Sequence, residues 1–241
     1  HRRLPVPSRV ASVIRPRAGG GALVATERGI ALGREEDLSD LKEVVSLTDD
    51  PTIRTNEGGC DPDGRFWVGT MSYDKVVGAA GVYRWDGPGT APVLAWSGAT
   101  TANGLGFSPD GELGYWVDTP TRTVTVLDYD ARAGLADPRP FVDIDEGAGK
   151  PDGLCVDAEG GVWVALHRGS AVRRYDADGR LSEVVELPVS KVTACTFGGE
   201  GLDLLFITTS RENLPDGVEP ASGSVYACEP GVRGLEPLTF G

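Results

Sequence analysis

Asp61-Pro62-Asp63-Gly64-Arg65-Phe66-Trp67-Val68-Gly69-Thr70 is the stretch whose reading decides the fold. Asp63-Gly64 is a tight-turn pair, because glycine takes the positive φ that such a turn needs. The residues after it are aromatic and β-branched, and they read as a strand. The same unit returns as SPDGELGYWVDT at 108–119 and DAEGGVWVALHRG at 157–169. Looser copies are AGGGALVATERGIAL at 18–32 and GGEGLDLLFITTS at 198–210. The glycines that open the five strands are Gly20, Gly64, Gly111, Gly160 and Gly201, at intervals of 44, 47, 49 and 41 residues. Several are followed by a further strand ending in an aromatic and an acid, as in VYRWDG at 82–87 and VRRYDADG at 172–179.

A repeat of this length, with about four strands in each copy, predicts an all-β fold, a β-propeller. Solenoids of similar period are usually helical, and no helical periodicity here lasts three turns. The strongest helix candidate, Arg34 to Val45, reads as a polar loop. A sandwich would not repeat internally at this interval. Five visible repeats fit either a five-bladed propeller or a six-bladed one whose first blade is incomplete. The whole chain, 1–241, reads as one propeller domain.

The chain is acidic, with a net charge of −13 over 241 residues. Phosphate neutralisation needs clustered Lys and Arg, so nucleic acid and anionic membranes are excluded as partners. No apolar run reaches membrane-spanning length, and the opening HRRLPVPSR is no signal peptide, which predicts a cytoplasmic protein. Cys60, Cys155, Cys195 and Cys228 form no CxxC pair, so a thiolate zinc site is not expected. Two histidines, one of them at the first position, support no Ser-His-Asp set. His167 is left out of the catalytic group, and Trp67, Trp116 and Trp163 are assigned to packing.

Three further stretches carry the chemistry: Arg54-Thr55-Asn56-Glu57-Gly58, Thr101-Ala102-Asn103-Gly104-Leu105 and Pro151-Asp152-Gly153-Leu154. Asn56, Asn103 and Asp152 each stand eight residues before the glycine of their repeat. Equal offsets mean equivalent blade positions, which in a propeller converge on the axis. Amide and carboxylate oxygens are hard ligands, suited to Ca²⁺ or Mg²⁺, with Mn²⁺ acceptable and Zn²⁺ less natural. Two amides and one carboxylate leave a divalent ion under-neutralised, so a second carboxylate is expected. The competing role for each residue is capping a turn through side-chain to backbone bonds.

RTNEGGCDPDGRFWVGTM, TANGLGFSPDG, KPDGLCVDAEGGVWVA and the tail KVTACTFGGEGLDLLFITTSR resemble the senescence marker protein 30 (regucalcin), gluconolactonase and luciferin-regenerating-enzyme family. The likeness covers almost the whole chain. It implies a six-bladed propeller with one divalent ion in the central channel, calcium first and zinc, manganese or magnesium as alternatives. It implies hydrolysis of a small sugar lactone, with a related esterase or phosphotriesterase, or a non-catalytic metal-binding propeller, as alternatives. By motif match, Asn103 and Asp152 are metal ligands and Asn56 lies between metal and substrate. Arg54 matches a substrate-binding arginine, and Asp74, three residues after Met71, falls where a substrate-binding acid lies. Asp152 is also the implied proton acceptor and donor. Two departures stand out: Asn56-Glu57-Gly58 replaces the family's Asn-Asp-Gly, and the N-terminal Glu-Gly-Pro-x-Trp motif with its ligand glutamate is absent. The expectation is a sequence that lacks about the first 50 residues of the family pattern.

Overall fold

The computed structural model describes residues 3–241. Apart from the single-turn 3-10 segments Thr119–Thr121 and Glu146–Ala148, the regular structure of the described residues is strand. The strands form five sheets, each a meander of chain neighbours and each of propeller-blade type. Two compact units contain them, one made of the residues up to Ala102 with Pro237–Gly241, the other of Asn103–Glu236.

The first unit holds β1 (Ala11–Pro16), β2 (Ala22–Thr26), β3 (Gly29–Gly33) and β4 (Lys42–Ser46), then β5 (Ile53–Cys60), β6 (Phe66–Ser72), β7 (Ala80–Trp85) and β8 (Val93–Ala99). Its core joins both sheets through Val13, Leu23, Ile30, Phe66, Val68 and Trp85. The last residues return to it: Phe240 stacks on Trp85 at 5.1 Å, and its N–H donates to the Pro16 carbonyl.

The second unit holds β9 (Ala102–Phe107) from Asn103 onward, β10 (Leu113–Asp118), β11 (Thr123–Asp130) and β12 (Gly134–Asp143). It continues with β13 (Lys150–Val156), β14 (Val162–His167), β15 (Ala171–Tyr175) and β16 (Leu181–Glu186), and ends with β17 (Val192–Gly198), β18 (Leu204–Thr209) and β19 (Val225–Cys228). Gly104 and Gly153 let the opening strands of these sheets lie close together. A Cβ on Gly104 would meet Leu154 Cγ at 2.7 Å and the Asp152 carbonyl at 3.0 Å, and one on Gly153 would meet the Ala194 Cβ at 2.7 Å. The free thiols of Cys155 and Cys195 lie 3.7 Å apart across the same seam.

The repeat turns are held by more than their glycines. The buried Asp61 carboxylate accepts the Asp63 and Arg65 N–H groups on one oxygen, and Arg65 Nε and the Trp67 indole N–H on the other. Asp157, fully buried, does the same for the Glu159 and Gly161 N–H groups, Trp163 Nε1 and Arg174 Nε. Four donors compensate the cost of burying each charge. Trp67 and Trp163 therefore do more than pack: their N–H groups tie the strand to the turn.

Several sequence expectations change in detail. The loop expected at Arg34 to Val45 becomes strand at Lys42, because β4 pairs with β3. The first sheet has four strands, since Ala11–Pro16, outside the repeat as read, pairs with β2. The three-stranded sheet is instead β17–β19.

Asp157→Ala leaves Arg174 and the indole N–H of Trp163 without their shared acceptor, and breaking such a buried pair costs about 3–5 kcal/mol. Asp176, which takes only the Asp178 and Arg180 N–H groups in a more exposed turn, costs about 1 kcal/mol when replaced by Ala. Denaturant titration of the two variants checks the order, and equal losses would contradict it.

Candidate functional site

Asn56, Asn103 and Asp152 all lie on the first strand of a sheet, β5, β9 and β13. Asn56 sits where the β5–β6 register shifts, between Thr55 and Gly58, and Asp152 where β13–β14 shifts, between Pro151 and Leu154. A bulge re-aims the side chain it carries out of the alternation of its strand. The pattern extends further: β1–β2 shifts around Ser12 and β17–β18 around Thr193. Ser12 and Thr193 stand eight residues before Gly20 and Gly201. The same offset of eight therefore marks these two bulges in the sequence as well.

Hydrogen bonding fixes both amides. Asn56 Nδ2 donates to the Ala102 carbonyl at 2.8 Å, and its Oδ1 accepts from Arg54 Nη1 at 3.0 Å. Asn103, 7% exposed, donates through Nδ2 to Thr119 Oγ1 at 2.6 Å. Thr119 in turn donates to the Pro151 carbonyl at 2.8 Å. A hydroxyl has one proton, and a carbonyl can only accept, so Thr119 has only a lone pair to offer Asn103. The nitrogen of Asn103 must therefore face Thr119, and its oxygen faces the other way. The bond to Pro151 carries the network to the peptide that leads into Asp152.

The donor chemistry fits a hard divalent cation: Asn103 presents an amide oxygen, and half-buried Asp152 a carboxylate, on adjacent sheets of one unit. Among the described residues no three His, Cys, Asp or Glu side chains gather as a metal set. Amide oxygens with one carboxylate are a different donor set.

Arg54 and Asn56 are brought together directly. Arg54 also donates to the Thr55 carbonyl at 2.8 Å, and its guanidinium carbon lies 5.9 Å from the centre of the Tyr73 ring. Tyr73 donates its phenol proton to Glu27 at 2.6 Å. That bond lowers the Glu27 pKa and raises that of the Tyr73 phenol. Asp74 is exposed in the turn that follows. Tyr73, Glu27 and Thr119 carried no motif signal, because each acts through the partner the fold supplies. His167 ends β14, where the strand register pairs it with Lys150 and Lys191.

Glu57 follows Asn56 in the bulge. Burial pushes its carboxyl up to about 7, opposed by the Arg15 guanidinium. Burial lowers the Arg15 pKa, and Arg15 donates to the Gly58 carbonyl at 2.5 Å. A carboxyl with a raised folded-state pKa binds its proton more tightly when native. Its contribution to stability is thus complete below the unfolded value of 4.5 and is lost as pH rises through about 7. In chelator, the denaturation midpoint of the wild type should fall more steeply than that of Glu57→Gln between about pH 5 and 8. Parallel curves would contradict the assignment.

With this geometry in place, comparison with known proteins gives one consistent result. Residues 1–211 match the SMP-30/gluconolactonase/LRE-like region. Pentonolactonase XacC of Haloferax volcanii is 37% identical over 86% of this chain and 69% of its own length. The putative sugar lactone lactonase YvrE of Bacillus subtilis is 32% identical over 86% of this chain and 72% of its own. Among solved structures, the calcium-binding protein regucalcin from Agrobacterium tumefaciens superposes with a TM-score of 0.90 at 30% identity, covering 98% of this chain and 81% of that one.

Proposed function

Because the chain belongs to the SMP-30/gluconolactonase/LRE-like family, we propose that it is a hydrolase that opens a small sugar lactone with the help of one divalent cation, calcium first. The observation that carries this reading is the Asn103–Thr119–Pro151 chain of hydrogen bonds, which holds the nitrogen end of the Asn103 amide and ends at the peptide preceding Asp152. Asn103 and Asp152 are assigned as cation ligands, and Asn56 as a ligand or a contact between cation and substrate. A cation held there supplies Lewis-acid polarisation of a carbonyl. The family resemblance also underlies the proposal of a sixth blade beside the five described.

The chain's own groups divide the remaining work. Asp152 accepts a proton from the attacking water and returns it to the ring oxygen as the ester bond opens. Arg54, anchored by Asn56 Oδ1 and the Thr55 carbonyl, donates hydrogen bonds to sugar hydroxyls. Asp74 accepts hydrogen bonds from the same class of hydroxyl. No helix of the described residues is long and apolar enough to cross a membrane.

Acid release from gluconolactone should stop on chelation and return with Ca²⁺, Mn²⁺ or Zn²⁺, and activity indifferent to both treatments would overturn the proposal. Asp152→Ala should cut kcat by about 100-fold or more. Arg54→Ala should act mainly on KM, because it removes a contact made to substrate and transition state alike. Steady-state kinetics separates the two, and a pure kcat loss in the Arg54 variant would remove Arg54 from substrate binding.

A further inference from the structure

Resting on that reading, we propose that Thr119 is the positioning residue of the cation site. It sets the rotation of the Asn103 amide and the plane of the peptide leading into Asp152. Neither the family motifs nor the eight-residue offset selects Thr119.

Two bonds to one atom carry the inference. Thr119 Oγ1 accepts from Asn103 Nδ2 at 2.6 Å and donates to the Pro151 carbonyl at 2.8 Å. An Asn side chain is nearly symmetric in shape, so packing alone does not choose which end of the amide faces a given neighbour. Here the choice is forced, because the Thr119 proton is committed to a carbonyl. The Pro151 carbonyl belongs to the same planar unit as the Asp152 N–H, so holding one sets the orientation of the other. It does so inside the irregular step Pro151/Leu154, where ladder pairing does not fix Asp152.

Thr119 is itself well placed to hold a direction. It opens the 3-10 turn Thr119–Thr121, with Pro120 fixing φ at the next position. Thr121 Oγ1 donates to the Asp118 carbonyl at 2.8 Å, and Arg122, in the left-handed region at φ 61°, donates to the Gly149 carbonyl at 2.6 Å. The turn after β10 is thus fastened to the loop before β13 at a second point. The β-branched side chain of Thr119 also has few rotamers to lose.

A merely structural threonine and a positioning threonine differ in what their variants do. The test is calorimetric titration of the chelator-stripped full chain with Ca²⁺ and separately with Mn²⁺, alongside thermal denaturation without metal. Thr119→Val keeps the shape and removes the hydroxyl, leaving Asn103 Nδ2 facing a methyl group. It should weaken cation binding about 10–100-fold, the usual effect of losing a group that orients a ligand. Thr119→Ser keeps the hydroxyl and should bind within about threefold of wild type. If the Val variant does not fold, Thr119→Ala against Thr119→Ser gives the same comparison. Val (or Ala) binding as tightly as wild type, or Ser binding as weakly as Val, overturns the role of Thr119 while the lactonase reading stands. A wild-type chain that binds neither cation overturns both.

Discussion

The buried carboxylates of Asp61 and Asp157 fix the turns that follow the strands carrying Asn56 and Asp152. Each takes two backbone N–H groups of its turn, an indole N–H from the following strand and an arginine. A charge so enclosed is tolerable only with its full set of donors, so turn and strand must keep one geometry. The aspartate lies three residues before the repeat glycine, and the polar bulge position five residues before the aspartate. In these two repeats the offset of eight is thus the sum of one opening strand and one locked turn, and in the 103–111 repeat Ser108 stands at the aspartate position. Arg84 and Arg174 extend the lock, lying 5.8 and 5.9 Å from the ring centres of Trp67 and Trp163.

On this scaffold the chemistry is placed by backbone irregularity and by short polar chains. The bulges free Asn56 and Asp152 from strict alternation, while glycines such as Gly104 and Gly153 let neighbouring strands come close enough for side chains to reach the next backbone. Asn103 reaches β13 through Thr119, and Asn56 reaches the Ala102 carbonyl directly. Each amide thereby spends its nitrogen on the scaffold, and the Asn56 oxygen accepts from Arg54. Arg54 follows the same logic: the Thr55 carbonyl, Asn56 and the Tyr73 ring surround its guanidinium. Tyr73 is in turn held by Glu27 from the turn between β2 and β3.

The repeat and the bulge positions were legible in the chain because they depend on local rules: glycine at positive φ, alternation, and equal spacing. Gly64, Gly111 and Gly160 do take positive φ, at 77°, 73° and 83°. The extra strand at Ala11–Pro16 was not legible, because its pairing with β2 is a long-range choice that VASVIRP does not announce. Thr119, Tyr73 and Glu27 were invisible for a related reason. Their partners are 16, 32 and 46 residues distant, and nothing in TPTR or SYD marks a hydroxyl that will meet them. The indole bonds of Trp67 and Trp163 were half legible: burial followed from their strand positions, but the acceptor was six residues back in a turn read only for its glycine.

Asn103 and Asp152 are proposed to hold one divalent cation. A crystal soaked in Mn²⁺ tests it most directly, through the anomalous difference map. A single strong peak is expected within about 2.6 Å of Asn103 Oδ1 and an Asp152 carboxylate oxygen, with Asn103 Nδ2 still on Thr119. A map with no peak there, or with the Asn103 amide turned so that its nitrogen faces the ion, would contradict it.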